Sequence, residues 1–207
     1  MTSIFRVLLI LSVLGFSGAE ARAGDPNDLG PKPPGEFDFY ALSLTWVPDF
    51  CATHADPAEC SRPLGFALHG YWPDSMNGYP TFCSSAPLPD DVRAANVSLF
   101  ASPSLIDHEW QKHGTCTGLS APGYFDMTRR ASNSVVVPPA YAHAASIGRS
   151  DADTIKSAFV AANPGLSLGA LALVCEGGGI SEIHVCFSKA GSYRTCEAWE
   201  SGEDNCK

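Results

Sequence analysis

Phe37 to Trp46, FDFYALSLTW, alternates large apolar residues with small or polar ones, the two-residue period of a half-buried strand. Gly65 to Trp72, GFALHGYW, reads as a second strand, and a loop containing Cys51 and Cys60 joins the two. Helical spacing follows over Leu88 to Phe100, Pro103 to His113 and Tyr124 to Ala131, with Ser102 and Ser104 available as caps. Asp151 to Ala162 forms a fourth helix, stopped by Asn163-Pro164-Gly165. The runs GALALVCEGG and GISEIHVCFSKAG are strand-like and meet at a glycine turn around Gly177 to Gly179, which suits a hairpin. Helices and strands interleave without a βαβ rhythm. The pattern predicts an α+β architecture, a central antiparallel or mixed sheet covered by helices. Gly24 to Gly35, rich in Pro, Gly and Asp, reads as an extended leader with no core of its own, so that the fold begins after it.

The first residues change the picture of where the protein works. Arg6 precedes an apolar run from Val7 to Phe16 and small residues ending in Ala21-Arg22-Ala23, the layout of a secretory signal peptide over residues 1–23. The run is too short for a membrane span of ~20 residues. Removing residues 1–23 leaves residues 24–207, enough for one well-buried core, and a single domain is expected. The mature protein is then secreted or periplasmic and free of the membrane. All eight cysteines lie in that part, and an even number in an exported chain points to four disulfides. No C-x-x-C pair suggests structural zinc. The formal charge is −9, which disfavours broad electrostatic attraction to a polyanion but says nothing of a cleft holding a few fixed cations.

Candidate chemistry concentrates in Asp107-His108-Glu109-Trp110-Gln111-Lys112-His113-Gly114-Thr115-Cys116. On a helix turning ~100° per residue, His108, Lys112, Glu109 and His113 share an arc of ~140°. The zinc-protease spacing His-Glu-x-x-His is not met: the second histidine stands at i+5, and Lys112 occupies i+4, where its charge opposes a cation. The second segment is His69-Gly70-Tyr71-Trp72-Pro73-Asp74, a strand histidine, a glycine permitting close approach, and aromatic rings on which a nucleobase can stack.

Together these two segments resemble the active-site motifs of the ribonuclease T2 family. The first, His-Gly-Leu-Trp-Pro, is met by His69 to Pro73 with Tyr71 in place of leucine; the second, His-Glu-Trp-x-Lys-His-Gly-Thr-Cys, is met from His108 to Cys116. The resemblance implies cleavage of single-stranded RNA, not DNA, through a 2′,3′-cyclic phosphate, by a monomer needing neither metal nor cofactor. It implies His113 as general base, His69 as general acid, and His108, Glu109 and Lys112 around the scissile phosphate. Trp72, Asp74 and Tyr79 would contact the base on the 5′ side. It also implies the pairings Cys51–Cys60, Cys83–Cys116, Cys175–Cys206 and Cys186–Cys196. Tyr71 and Thr45 depart from the family pattern and bear on specificity, Tyr71 by adding bulk beside the base. His54, His143 and His184 match no catalytic position, and His184, on the polar side of its strand, is expected at the surface. Asn96-Val97-Ser98 is a glycosylation acceptor in a host that glycosylates. Histidine chemistry and the acidic charge predict a bell-shaped pH profile with its maximum on the acidic side of neutrality.

Overall fold

A computed structural model describes residues 25–143, 152–176 and 179–201; the signal peptide expected over residues 1–23 lies outside them. Four strands, β1 (Phe39–Trp46), β2 (Phe66–Asp74), β3 (Leu171–Glu176) and β4 (Gly179–Ser188), form an antiparallel sheet in the order β2-β1-β4-β3. The α+β expectation therefore holds, with the sheet purely antiparallel. One face is apolar: Leu42 pairs with Tyr71 and Val185, and Leu44 with Leu68 and Ile183. Helices α3 (Asp90–Asn96), α4 (Leu105–Lys112), α5 (Ala121–Ser134) and α6 (Ala152–Ala162) add Val92, Ile106, Trp110, Tyr124, Phe125, Ile155 and Phe159 to the same core.

The other face carries Ser43, Gly70, Trp72, Asp74, Glu182 and His184, and a β-bulge decides its membership. Ser43 faces Gly70 and Leu44 faces Leu68, so His69 is the extra residue of β2. Strict alternation from Phe66 and Leu68 would place Trp72 in the core and Tyr71 opposite, but one inserted residue reverses every side chain beyond it. Tyr71 accordingly lies in the core, stacked on Tyr40 with ring centroids 4.5 Å apart. Its departure from the family pattern is a matter of core packing, not of bulk beside a base.

Several elements differ from the sequence expectation for identifiable reasons. The supposed loop after β1 holds two short helices, α1 (Val47–Thr53) and α2 (Pro57–Cys60). Pro48 sits in the first turn of α1, and the Asp56 carboxylate caps α2 by accepting from the Ala58 and Glu59 amides. Helix α5 starts at Ala121, three residues before the apolar spacing begins, because Ser120 caps it and Pro122 fits its first turn. The leader is part of the fold. Its backbone pairs with the segment after β2, with Tyr79 donating to the Asn27 carbonyl at 2.9 Å and Leu29 to the Tyr79 carbonyl at 3.0 Å. A Cβ on Gly78 would stand 2.2 Å from that Asn27 oxygen, so the pairing requires glycine there.

Disulfides Cys51–Cys60, Cys83–Cys116 and Cys186–Cys196 are present, three of the four expected. Cys175 is disulfide-bonded, whereas Cys206, its expected partner, lies outside the described residues. Asn96 is buried, its amide nitrogen donating to the Val92 carbonyl and its oxygen accepting from Arg129, so the acceptor atom of the glycosylation sequon is turned inward. Among the described residues, no helix is long and apolar enough to cross a membrane.

Candidate active site

Helix α4 brings the second motif against the β2 edge. Its inward side carries Glu109, wholly buried, and His113, which ends the helix and is 2% exposed; His108 faces outward, its ring centroid 6.5 Å from that of His113. The helix end is fastened to the segment after β2 by the Cys83–Cys116 bridge and by a hydrogen bond from the Phe82 amide to the Lys112 carbonyl. The Trp110 indole donates to the Ala86 carbonyl at 2.8 Å. A Cβ on Gly114 would lie 2.5 Å from the Trp110 ring, so the motif glycine lets the chain leave the helix against that indole.

Trp72 organises the two catalytic candidates. Its ring stacks on His113 at 4.7 Å and 18°, and meets the His69 ring edge-on at 5.0 Å. Its indole N–H donates to Glu109 Oε2 at 2.7 Å. Glu109 Oε1 makes no hydrogen bond within the protein and lies 3.6 Å from His69 Nε2. One indole face is thus covered by an imidazole, and the indole fixes the spacing of both histidines and the carboxylate. Gly70 makes this possible, since a Cβ there would fall 2.0 Å from Glu109 Oε2 and 2.2 Å from Trp72 Nε1. Gly70→Ala is expected to break the Trp72–Glu109 bond and to cost roughly 1–3 kcal/mol, as overpacking does. Urea denaturation with a parallel rate measurement checks this, and an unchanged midpoint would contradict the close approach.

A second set of polar residues continues across the sheet. His69 Nδ1 is 2.6 Å from Glu182 Oε1, and Glu182 Oε2 accepts from Ser43 Oγ and meets His184 Nε2, both at 2.9 Å. His184 Nδ1 lies 3.8 Å from Glu200 Oε2. The expectation of a surface His184 is overturned: it is 8% exposed, because Trp72 and the Ala198–Glu200 turn cover the polar sheet face. Glu182, His184, Trp199 and Glu200 escaped the sequence reading. The adjacent polar residues of Ser181-Glu182 and His184 in β4 were the available signal.

Electrostatics separates the two histidines. Burial alone would lower His69, but the Glu182 charge and hydrogen bond, helped by Glu109, push it up to about 9. Burial holds His113 well below the ordinary histidine value, and the Lys112, His69 and His108 charges add to this. His108 is lowered by burial and by Lys112. Burial raises Glu109 to about 7, against the pull of His69 and the Trp72 hydrogen bond. Asp74 is buried with Oδ1 unbonded, and burial together with Glu200 raises its carboxyl well above the usual range.

His69, Trp72, Asp74, His108, His113, Glu182 and His184 line a cleft of about 510 Å³ that also contains Tyr79, Lys112 and Trp199, with Glu109 buried behind its wall. Lys112 Nζ stands 5.6 Å from the Tyr79 ring centroid, and the Tyr79 hydroxyl donates to Asp25 of the leader at 2.6 Å. The structure thus brings seven of the eight residues singled out from the sequence onto one cleft, and the eighth, Glu109, lies behind it against Trp72 and His69. Among the described residues, His108, Glu109 and His113 offer ligand atoms within 4.8 Å of one another, yet Lys112 borders the same group.

An antiparallel α+β fold with a cationic and a neutral imidazole facing one cleft defines the class: a protein with a two-histidine site suited to proton transfer. A sequence model of the Ribonuclease T2 family matches residues 37–196, and the chain belongs to that family. A ribonuclease of Aeromonas hydrophila is 49% identical over 128 residues, covering 61% of this chain and 56% of the relative. Ribonuclease I of Escherichia coli is 25% identical over 174 residues, covering 62% and 63% of the two chains. The matched region thus spans little more than half the length of these relatives. The fold is similar to that of an RNase-related protein from Calystegia sepium, with a TM-score of 0.63 at 20% identity, covering 80% of this chain and 93% of that one. It is also similar to ribonuclease MC1 from bitter gourd seeds, with a TM-score of 0.59 at 21% identity, covering 76% and 92%.

Proposed function

We propose that this protein is an exported, monomeric endoribonuclease that cleaves single-stranded RNA without a metal or cofactor, by transphosphorylation to a 2′,3′-cyclic phosphate. The observation that carries the reading is the opposite displacement of His69 and His113 within one cleft. Neutral His113 accepts the proton of the ribose 2′-OH, whose oxygen attacks phosphorus. Imidazolium His69 gives its Nε2 proton to the departing 5′-oxygen. Lys112 and His108 face the negative charge that grows on the equatorial oxygens. Glu109, buried behind them and held by the Trp72 indole, stands 3.6 Å from His69 Nε2 and supports that ring from the helix side. Tyr79 and Asp74 border the space for the 5′-side base, and Trp72 holds the histidines between which the phosphate sits. The unbonded Oδ1 of Asp74, which lines the cleft, supports a polar ligand there. Two solved structures of this fold, a variant of ribonuclease MC1 with 5′-UMP and RNase NT with 5′-AMP, support a nucleotide as the kind of ligand.

The test is incubation of the purified protein with RNA and with DNA, each with and without a chelator, followed by analysis of the new 3′ end. RNA cleavage insensitive to chelator, leaving cyclic phosphate, is the expected result, because the nucleophile is the substrate's own 2′-OH. Chelator-sensitive cleavage, or cleavage of DNA, would instead favour a metal at His108, Glu109 and His113.

A further inference from the structure

The carboxylate behind His69 has no part in the proton transfers just described, yet the sheet is built around it. Bulges in two strands flank it. His69 is the extra residue of β2, and the register of β3 on β4, with Val174 opposite Glu182 and Cys175 opposite Ile180, leaves Ser181 as the extra residue of β4. Bulges re-aim side chains next to sites of function. Between them, three strands converge on one carboxylate: β2 supplies His69 Nδ1 at 2.6 Å, β1 supplies Ser43 Oγ at 2.9 Å, and β4 supplies His184 Nε2 at 2.9 Å. His184 is itself held by Trp72 and lies within 3.8 Å of Glu200. From α4, Glu109 faces the opposite nitrogen of His69 at 3.6 Å.

We propose that Glu182 is the positioning residue of the general acid: it grips the His69 ring by Nδ1, so that the proton on Nε2 is the one presented to the departing oxygen. Ser43 and His184 fix the second oxygen of Glu182 and hence the direction of its grip. The carboxylate also stabilises the imidazolium, in the manner of the acidic member of a Ser-His-Asp triad. The inference rests on the ribonuclease reading and assigns a role to a side chain which that reading leaves unused.

The test uses Glu182→Gln on two substrates, a dinucleoside monophosphate and a nucleoside 3′-(4-nitrophenyl phosphate), whose phenolate leaves without a proton. Loss of a positioned acid is expected to lower kcat on the dinucleotide by about 10²-fold and on the nitrophenyl ester by less than about 3-fold, with KM little changed. Equal losses on both substrates would overturn the proposal. A second readout needs no turnover: NMR titration of the imidazoles in the free protein. The ring titrating near 9 in the parent should move down toward the ordinary histidine value in Glu182→Gln, and an unmoved ring would overturn the role of the carboxylate. If the parent cleaves neither substrate, the ribonuclease reading fails, and the titration still decides whether Glu182 governs His69. Should Glu182→Gln not fold, Ser43→Ala removes one support of Oε2 and keeps the charge. It should reproduce the substrate selectivity at a smaller size, and a loss shared equally by the two substrates refutes the assignment.

Discussion

His113→Ala is expected to lower kcat on RNA by ~10²-fold or more, the usual size of a lost general base. The reason lies in how the ring is kept neutral. It is buried, with the Lys112 ammonium and the His69 imidazolium as neighbours, and the lost hydration and both charges disfavour a further positive charge on the ring. A base lowered in this way remains available well into the acidic range, so the acid limb of kcat/KM in the parent should fall below pH 6.5, the reference value of a free histidine. In the variant this limb should vanish with the rate. His113→Asn fills more of the space beside Trp72 and separates lost chemistry from a lost packing partner. Its rate should be as low as that of the alanine variant. An acid limb that persists unchanged in either variant would assign the base to another group.

His69→Ala should cost a similar ~10²-fold or more on a dinucleotide and should remove the other limb of the profile. His69 is pushed up to about 9 by Glu182, so the acid stays protonated through neutrality, and kcat/KM should decline only as pH rises through about 9. Net charge and ordinary histidine values point to a maximum on the acidic side; the Glu182 ion pair extends the working range upward from it. The same shift has a sign for stability. A histidine raised on folding contributes stability fully below its unfolded value of ~6.5, and that contribution is lost as pH rises through the folded value. The unfolding midpoint of the parent should therefore fall between pH 6.5 and about 9 more than that of His69→Ala. Parallel slopes for the two proteins would deny the ion pair.

Much of the site was legible because its spacing is local. Four residues on one helical arc, a histidine followed by glycine on a strand, and an even set of cysteines need no knowledge of distant contacts. Helix α4 follows from that local reading, whereas the Cys83–Cys116 bridge at its end was implied by the family resemblance, and the split between inward Glu109 and His113 and outward His108 came from the fold. The failures also have causes. Tyr71 looked like a neighbour of the base because it follows His69 and Gly70, yet the bulge at His69 sends it into the core and brings Trp72 and Asp74 onto the site face. His184 was judged exposed by its place on the polar side of β4, but polar faces are not always wet, and this one is covered. The leader, poor in apolar residues, looked unattached, but backbone hydrogen bonds hold it, and these leave no mark in a hydrophobic pattern.

By itself, then, the sequence determined the chemical groups, the helix that carries four of them, and the α+β class, since side-chain period and helical arc are properties of neighbours in the chain; that every strand pair is antiparallel came from the structure. Only the tertiary structure supplied the cause that sets the two imidazoles apart. That cause lies in Glu182, 113 residues from His69 along the chain and 2.6 Å away in space, and in the burial of His113 against Trp72. A pKa is set by the charges and dielectric that folding brings within a few ångströms, whatever their distance in sequence.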